Sequence, residues 1–366
     1  MAKKLKSDRV LFTTSLLLVF LSIVMVYSAS APLALERFGQ PYLFVTRQVL
    51  WAVLGLGVLG LAMRLDYRSY RNEPFIWGLL ALVGVMLAAV LFSTPVNGTR
   101  RWFGIGGLGV QPSELAKLAC ILFTALMLER RRHRIDEVSY SLMPIGLVAG
   151  VLVALILLQP DFGTSISLLA IVAVMVFAAG LHYKFIVTAT LLAVPSLYLV
   201  AMSAPYRARR LTAFLNPWAD PQGDNYQVIQ SLIAVGTGGV FGKGLMEGVQ
   251  KLFYLPEPHT DFIFAVIGEE LGLVGATGVL VCFAVIAWRG LRIAVRAEDS
   301  FGSFVALGLT VMIAVQAFVN MSVVLALLPT KGLPLPLVSA GGSSMLVNLV
   351  GMGVLLNISQ HEAGTA

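Results

Sequence analysis

The sequence predicts an all-α integral membrane protein with about ten transmembrane helices, and three observations carry that prediction. Charged residues make up only 12% of the 366 residues, against roughly 25% in soluble domains. Mean hydropathy is +0.85, which means more apolar surface than one soluble core can bury. The apolar residues fall in runs close to the about 20 needed to cross a bilayer as a helix, joined by short basic connections.

Taken in order, the spans lie near 10–29, 47–63, 75–93, 113–129, 142–159, 163–181, 185–203, 261–288, 302–328 and 335–357. Lys3, Lys4, Lys6 and Arg9 precede the first span, and Ser28-Ala29-Ser30-Ala31-Pro32 at its end resembles a signal-peptide cleavage site. The run from Val10 to Ala29 is longer than the ~7–15 residues of a signal core, and Pro32 lies close to the cut. It is read as a retained span, with cleavage the lesser alternative. The second span is short. Gln159-Pro160-Asp161 divides the fifth from the sixth, because proline interrupts the helical hydrogen-bond ladder. The whole chain, 1–366, reads as one polytopic domain with a single large loop, 204–260. Within that loop Asn225 to Val235 is amphipathic, placing Val228, Ile229, Leu232 and Ile233 on one face that can lie in the outer headgroup layer.

Basic residues set the orientation. With the amino terminus inside, inner segments hold fifteen Lys and Arg residues and the short outer loops five. Both termini are thus expected in the cytoplasm and the 204–260 loop outside. The net charge of +7 follows this topology and does not argue for nucleic acid. Cys120 and Cys282 sit inside apolar runs and show neither metal-ligand spacing nor a disulfide framework. No internal repeat supports an inverted-repeat transporter.

Polar residues matter most where they are expensive. Glu114 and Lys117 share a face of the fourth span at i,i+3 and are expected to form an internal ion pair. Glu269 and Glu270 lie about 12 Å along the eighth helix from Asp261; at least one is expected to face a polar interior. On the outer side, Arg100, Arg101, Arg207, Arg209, Arg210 and Lys331 can grip an anion such as pyrophosphate or simply snorkel among headgroups. Arg101 and Lys331, beside glycine-rich turns, favour the first role. The densest cluster, Pro256-Glu257-Pro258-His259-Thr260-Asp261, stands where the large loop enters the eighth span. Thr260 or Asp261 can act as an N-cap. A cap does not account for Glu257 and His259, and a carboxylate here can serve as a base or hold a divalent cation beside a phosphate.

These residues carry a resemblance. Residues 254–272 (YLPEPHTDFIFAVIGEELG) and 328–344 (LPTKGLPLPLVSAGGSS) resemble the signatures of the SEDS family of cell-shape, division and sporulation proteins. Asn97-Gly98 through Arg101-Trp102, Gln111 to Leu115, Gln159 to Thr164, Tyr206 through Trp218 and Tyr226 through Ser231 are similar to further family motifs, so the resemblance runs the length of the chain. The Leu-Pro-Thr-Lys-Gly at 328–332, Asn-Pro-Trp at 216–218 and Met25 to Ser30 resemble the division branch. Ala340 departs from the pattern, which usually has Tyr there, and the long cytoplasmic tails of some division members are lacking.

The resemblance implies a peptidoglycan glycosyltransferase that polymerises lipid II at the outer face of the bacterial cytoplasmic membrane, at the division septum. The C4 hydroxyl of an acceptor sugar attacks C1 of the donor, polyprenyl pyrophosphate leaves, and the anomeric centre inverts. Asp261 is the expected general base or metal ligand. Arg101, Trp102, Glu257, His259, Lys331 and Ser339 are the expected substrate contacts, with Glu114, Lys117, Glu269 and Glu270 in structural or gating roles. Pyrophosphate leaves readily once neutralised, so the two carboxylates of glycoside hydrolysis are not required. Magnesium or manganese can assist, and no organic cofactor is implied. The implied partner is a class B penicillin-binding protein, an FtsI-like transpeptidase, among other divisome proteins. Two alternatives from other classes are a lipid II flippase and a non-catalytic divisome scaffold.

Overall fold

The computed structural model describes residues 7–95, 99–105, 108–202, 214, 218, 221–223 and 225–361. Its helices are α1 (Arg9–Phe38), α2 (Leu43–Ala62), α3 (Glu73–Ala89), α4 (Pro112–Arg131), α5 (Met143–Leu158), α6 (Phe162–Ala178), α7 (Tyr183–Met202), α8 (Tyr226–Gly238), α9 (Ile263–Arg296), α10 (Ser300–Val324) and α11 (Gly342–Ser359). A short antiparallel hairpin, β1 (Phe103–Ile105) with β2 (Leu108–Val110), pairs Phe103 with Val110. Among the described residues, seven helical segments are long and apolar enough to cross a membrane. α6 is apolar but shorter at 17 residues, and α4 carries Glu114, Lys117 and Glu129 within its length. The protein is a multi-pass membrane protein.

Local chemistry sets the helix ends. Asp8, Asp161 and Asp299 each accept a hydrogen bond from a backbone N–H in the first turn of α1, α6 and α10, satisfying donors that a helix start leaves open. α1 runs through Pro32 and stops at Gly39, whose φ of 66° suits glycine. It is built into the core: Met25, Val26 and Ala29 are fully buried.

α10 and α11 form the centre. In their most apolar stretches 67% and 83% of residues are buried, against 22% for α2 and α9. Small residues allow the close approach. Gly55 and Gly353 join α2 to α11 against Leu349 and Ala62, and Gly290 lets α9 meet Thr310 on α10, as membrane helix packing favours. The outward faces carry Phe20, Val53, Val85 and Trp288, suited to lipid.

The start of α1 and the end of α11 come together at one end, where the Asp8 N–H donates to Ser359 Oγ (3.0 Å) and Arg289 pairs with Asp8. The same end holds Arg68–Glu298, and Tyr67, whose hydroxyl donates to Asp299. Burial, and then the Asp299 carboxylate, raise the Tyr67 pKa.

Three features go beyond or differ from the sequence reading. The expected span 335–357 begins as a helix only at Gly342; Pro334 and Pro336 cannot donate to a helical ladder, and Leu337 adopts φ 62°. The amphipathic stretch forms α8, with Val228 and Ile229 buried and Leu232 and Ile233 half-buried, and the helix packs on α9 and α10. Gly238 sits against the Gly268 carbonyl, Val235 lies beside Gly268, and the Ser231 hydroxyl donates to the Val324 carbonyl.

The third feature is a break in α9. Gly272 has φ 65° and ψ −163°, so the N–H groups of Leu273 and Val274 turn away from the carbonyls of Glu269 and Glu270. The segment after α8 takes their place. Lys243 and Gly244 donate to the Glu269 and Glu270 carbonyls, and Leu273 and Val274 donate to the Gly239 and Val240 carbonyls, all within 2.9–3.1 Å. Two lost helical bonds become four bonds to an inserted strand of loop. Gly242 and Gly272 have no room for a β-carbon, since each would strike the other segment's backbone within 2.2 Å. The break lies about 14 Å along α9 from its start, and residues 239–244 are joined to the helix there.

Candidate active site

At the end opposite Asp8 and Ser359, four connections converge. The Arg101 guanidinium donates from Nε to the Gln159 carbonyl (3.0 Å) and from Nη2 to the Pro160 carbonyl (2.5 Å), tying the segment that leads into β1 to the α5–α6 turn. Asp161 accepts from Gln111 Nε2, from the Thr164 N–H and from its hydroxyl; Arg101 Nη1 stands 3.9 Å away. Gly163, opening α6, packs against Leu333. The loop between α10 and α11 then reaches Asp261: a β-carbon at Gly332 would lie 2.9 Å from Asp261 Oδ2. The Gln111 N–H donates to Ser343 Oγ and closes the ring.

The turn that delivers Asp261 is held by its carbonyls. Those of His259, Thr260 and Asp261 accept, in sequence, from the Ala340 N–H (2.9 Å), Ser339 Oγ (2.5 Å) and Asn320 Nδ2 (2.8 Å). Ser339 Oγ also accepts from the Leu335 N–H, and the Ser339 carbonyl accepts from Gln48. Ser339 is thus buried in backbone contacts, not turned outward. Ala340 contributes through its N–H, which any residue but proline supplies.

His259 is buried, its ring 4.6 Å from that of Phe44. Burial holds its pKa below the usual value, against a smaller opposing pull from Glu257. Glu257 is exposed and adopts φ 50°. Trp102 lies across the hairpin at Gly109. Lys331 is half-buried, and burial lowers its pKa; its ammonium pairs with no acid among the described residues. Arg207, Arg209, Arg210, Asn97 and Gly98 lie outside the described residues.

The other acids of the sequence reading, Glu114, Glu269 and Glu270, are each held in an ion pair. Lys117 Nζ donates to Glu114 (2.8 Å) and to Gln316 Oε1 (2.7 Å), joining α4 to α10. Glu269 accepts from Lys243 Nζ and the Val249 and Gln250 N–H groups. Glu270 accepts from Lys251 Nζ (2.6 Å), the Ser28 hydroxyl and the Met246 N–H. The sequence reading gives weight to charges and assigns no role to the amides Gln48, Gln316 and Asn320, nor to Gln111, which it holds only as part of a motif. Three of them, Gln48, Gln316 and Asn320, lie within helices that read as spans, where a polar side chain is itself a signal.

Among the described residues no three His, Cys, Asp or Glu groups cluster to form a metal cage. Asp261 with phosphate oxygens from a substrate matches the sparser way magnesium is bound.

The whole arrangement is a polytopic helical protein in which the loop carrying Lys331 is brought against the Asp261 carboxylate at one end. The family model described as "Cell cycle protein", covering FtsW, RodA and SpoVE, matches residues 8–364, and the chain belongs to that family. It is 42% identical to the "Probable peptidoglycan glycosyltransferase FtsW" of Geobacter sp. (strain M18), covering 98% of both chains. It is also 42% identical to the stage V sporulation protein E of Bacillus subtilis, covering 98% of this chain and 99% of that one. Among solved structures, a chain of a peptidoglycan synthase complex described for its coordination of polymerization and crosslinking aligns with TM-score 0.79 and 32% identity, covering 97% of this chain and 98% of that one. The rod shape determining protein RodA of Thermus thermophilus aligns with TM-score 0.73 and 29% identity, covering 98% of each chain.

Proposed function

We propose that this protein is a peptidoglycan glycosyltransferase that polymerises lipid II at the outer face of the cytoplasmic membrane during septal wall synthesis. One observation carries the reading furthest. Lys331, a half-buried cation pairing with no acid among the described residues, precedes the glycine that abuts the Asp261 carboxylate. A base and an anion-binding charge therefore share one loop junction.

In this reading Asp261 accepts the proton of the acceptor's C4 hydroxyl as that oxygen bonds to the donor's C1. The C1–O bond to pyrophosphate breaks on the opposite face, giving inversion, and Lys331 neutralises the leaving group. Glu257 and Trp102, at the rim, border the sugar path. Arg101 holds the 159–160 carbonyls and can offer only its remaining N–H groups to substrate. Magnesium or manganese, when bound, would be held by Asp261 and pyrophosphate and would add charge neutralisation. Both termini are assigned to the cytoplasm, by the excess of inner basic residues, and the convergent end to the outside. A class B penicillin-binding protein is the proposed partner, supported by the related chain in a complex that pairs polymerization with crosslinking. Glu114, Lys117, Glu269 and Glu270 act as struts, since each is closed in an ion pair.

The test is to incubate the purified protein and its partner with labelled lipid II and magnesium. Glycan polymer from the parent is expected. Translocated lipid II without polymer, or neither product, would overturn the reading in favour of a flippase or a scaffold.

A further inference from the structure

We infer that Asn320 is a positioning residue that fixes Asp261 and Lys331 relative to each other. The inference rests on the glycosyltransferase reading of that pair. Asn320 lies in α10, buried to 2% exposure. Its single amide nitrogen donates one hydrogen to the Asp261 carbonyl (2.8 Å) and the other to the Leu333 carbonyl (2.7 Å). These carbonyls belong to two different connections, the turn into α9 and the loop into α11. Ser339 and Ala340 tie the turn from within the loop itself, through the Thr260 and His259 carbonyls, and Ser339 Oγ also accepts from the Leu335 N–H. Asn320 stands outside both connections, on α10, and through one nitrogen bonds the carbonyl of the catalytic-candidate residue itself and the lysine-bearing loop two residues past Lys331.

The amide orientation follows from its surroundings. Its oxygen is buried with no partner; rotating the group would set that oxygen against two carbonyls and leave the N–H donors stranded. The bridge also has a rigid base. Gln316, one turn earlier on α10, donates to the Pro334 carbonyl (3.0 Å), and its own oxygen is held by Lys117. Residues four apart share a helix face, so α10 presents two amides to the successive carbonyls of 333 and 334. An anchor of this kind sets how far the base stands from the leaving-group charge. It touches no substrate, so its loss should fall on turnover.

The experiment compares the parent with Asn320→Leu, which is close in volume and donates nothing, in complex with the partner. Polymerisation kinetics on lipid II, thermal melting and amide hydrogen exchange are read together. The expected result is a kcat lower by about 100-fold, the scale of a small misplacement at a reaction centre, with KM changed less than about threefold. Exchange should quicken at 259–263 and 331–335 and stay unchanged at 239–251. Unchanged kcat, or exchange that quickens everywhere with a lowered melting temperature, would overturn the inference. If Asn320→Leu does not fold, Asn320→Ser, which withdraws both donors but leaves a polar group, carries the same comparison. If the parent itself makes no polymer, the glycosyltransferase reading fails. The exchange pattern then decides the bridge alone: unchanged exchange at both segments overturns it, and faster exchange at both sustains it.

Discussion

Two lysines show how differently the protein treats buried charge. Lys251 is 4% exposed and saturated: Nζ donates to Glu270, to the Ser28 hydroxyl and to the Met246 carbonyl, all within 2.9 Å. It pins the spliced loop to α9 and α1 at once. Lys331, at the convergent end, is half-buried and bonds to no side chain or carbonyl among the described residues. The carboxylates differ in place. Glu269 and Glu270 are closed in by lysines and backbone N–H groups at the splice, while Asp261, eight residues before Glu269, lies against Gly332 in the loop that carries Lys331. Buried charge with its partners in place is structure; a desolvated cation with no acid partner among the described residues, as at Lys331, marks a candidate site.

The largest effect should separate these regions cleanly. Asp261→Asn is expected to lower polymerisation by about 10²–10⁴-fold, the worth of a general base, with the melting temperature little changed. Comparable polymer from a folded Asp261→Asn protein would remove the distinction between the convergent end and the splice.

Breaking the splice should do the reverse. Lys251→Ala leaves Glu270 buried without its cation, and removing one member of a buried pair costs about 3–5 kcal/mol. Thermal denaturation should show that loss, with kcat falling only as far as folded protein is lost. The double replacement Lys251→Met with Glu270→Leu should recover much of the stability, because the cost is that of an orphaned charge. A double variant as unstable as Lys251→Ala would show that the pair itself, and not its completeness, holds the loop.

How much of this was legible in the sequence differs between the same two regions. Asp261, Lys331 and the turn at Gln159-Pro160-Asp161 were readable because proline, glycine and clustered polar residues mark an irregular connection on the primary chain. The Glu114–Lys117 pair was readable because i,i+3 spacing is local. The splice was not. Nothing near Gly272 announces that residues thirty positions earlier will replace two helical bonds, and an isolated glycine in an apolar run reads as ordinary packing. Asn320 was missed for a related reason. Its role lies in two partners, 59 and 13 residues away, and an amide carries no charge to draw attention. Ser339 was placed at the substrate because it sits in a motif; its hydroxyl is spent on the turn.

Lys331 sharpens the comparison from the other side. Its pKa is lowered by burial, so the folded protein holds the cation at a cost whenever it is charged. The unfolded chain keeps the ordinary value, and the cost is present throughout the neutral range. Lys331→Met should therefore melt no lower than the parent, and should weaken the binding of lipid-linked pyrophosphate by roughly tenfold, the order of one charge-assisted bond. A drop in melting temperature with unaltered binding would place Lys331 with Lys251 as a strut.

The smallest effect concerns pH. His259 packs against Phe44, and burial keeps its pKa below the ordinary 6.5. As pH falls through that ordinary value the unfolded chain takes up a proton that the folded protein refuses until the pH is lower still. The stability that neutral His259 contributes is thus whole above pH 6.5 and is lost progressively below it. His259→Phe keeps an aromatic ring on Phe44 and removes the titration. Between pH 7 and pH 5 the parent's melting temperature should fall further than the variant's, by about 2 °C for a change under 1 kcal/mol. Parallel curves would mean that His259 is reached by water and protonated in place. The carbonyl it offers to Ala340 would then be anchored by backbone alone, and the turn carrying Asp261 would be looser than its three capped carbonyls imply.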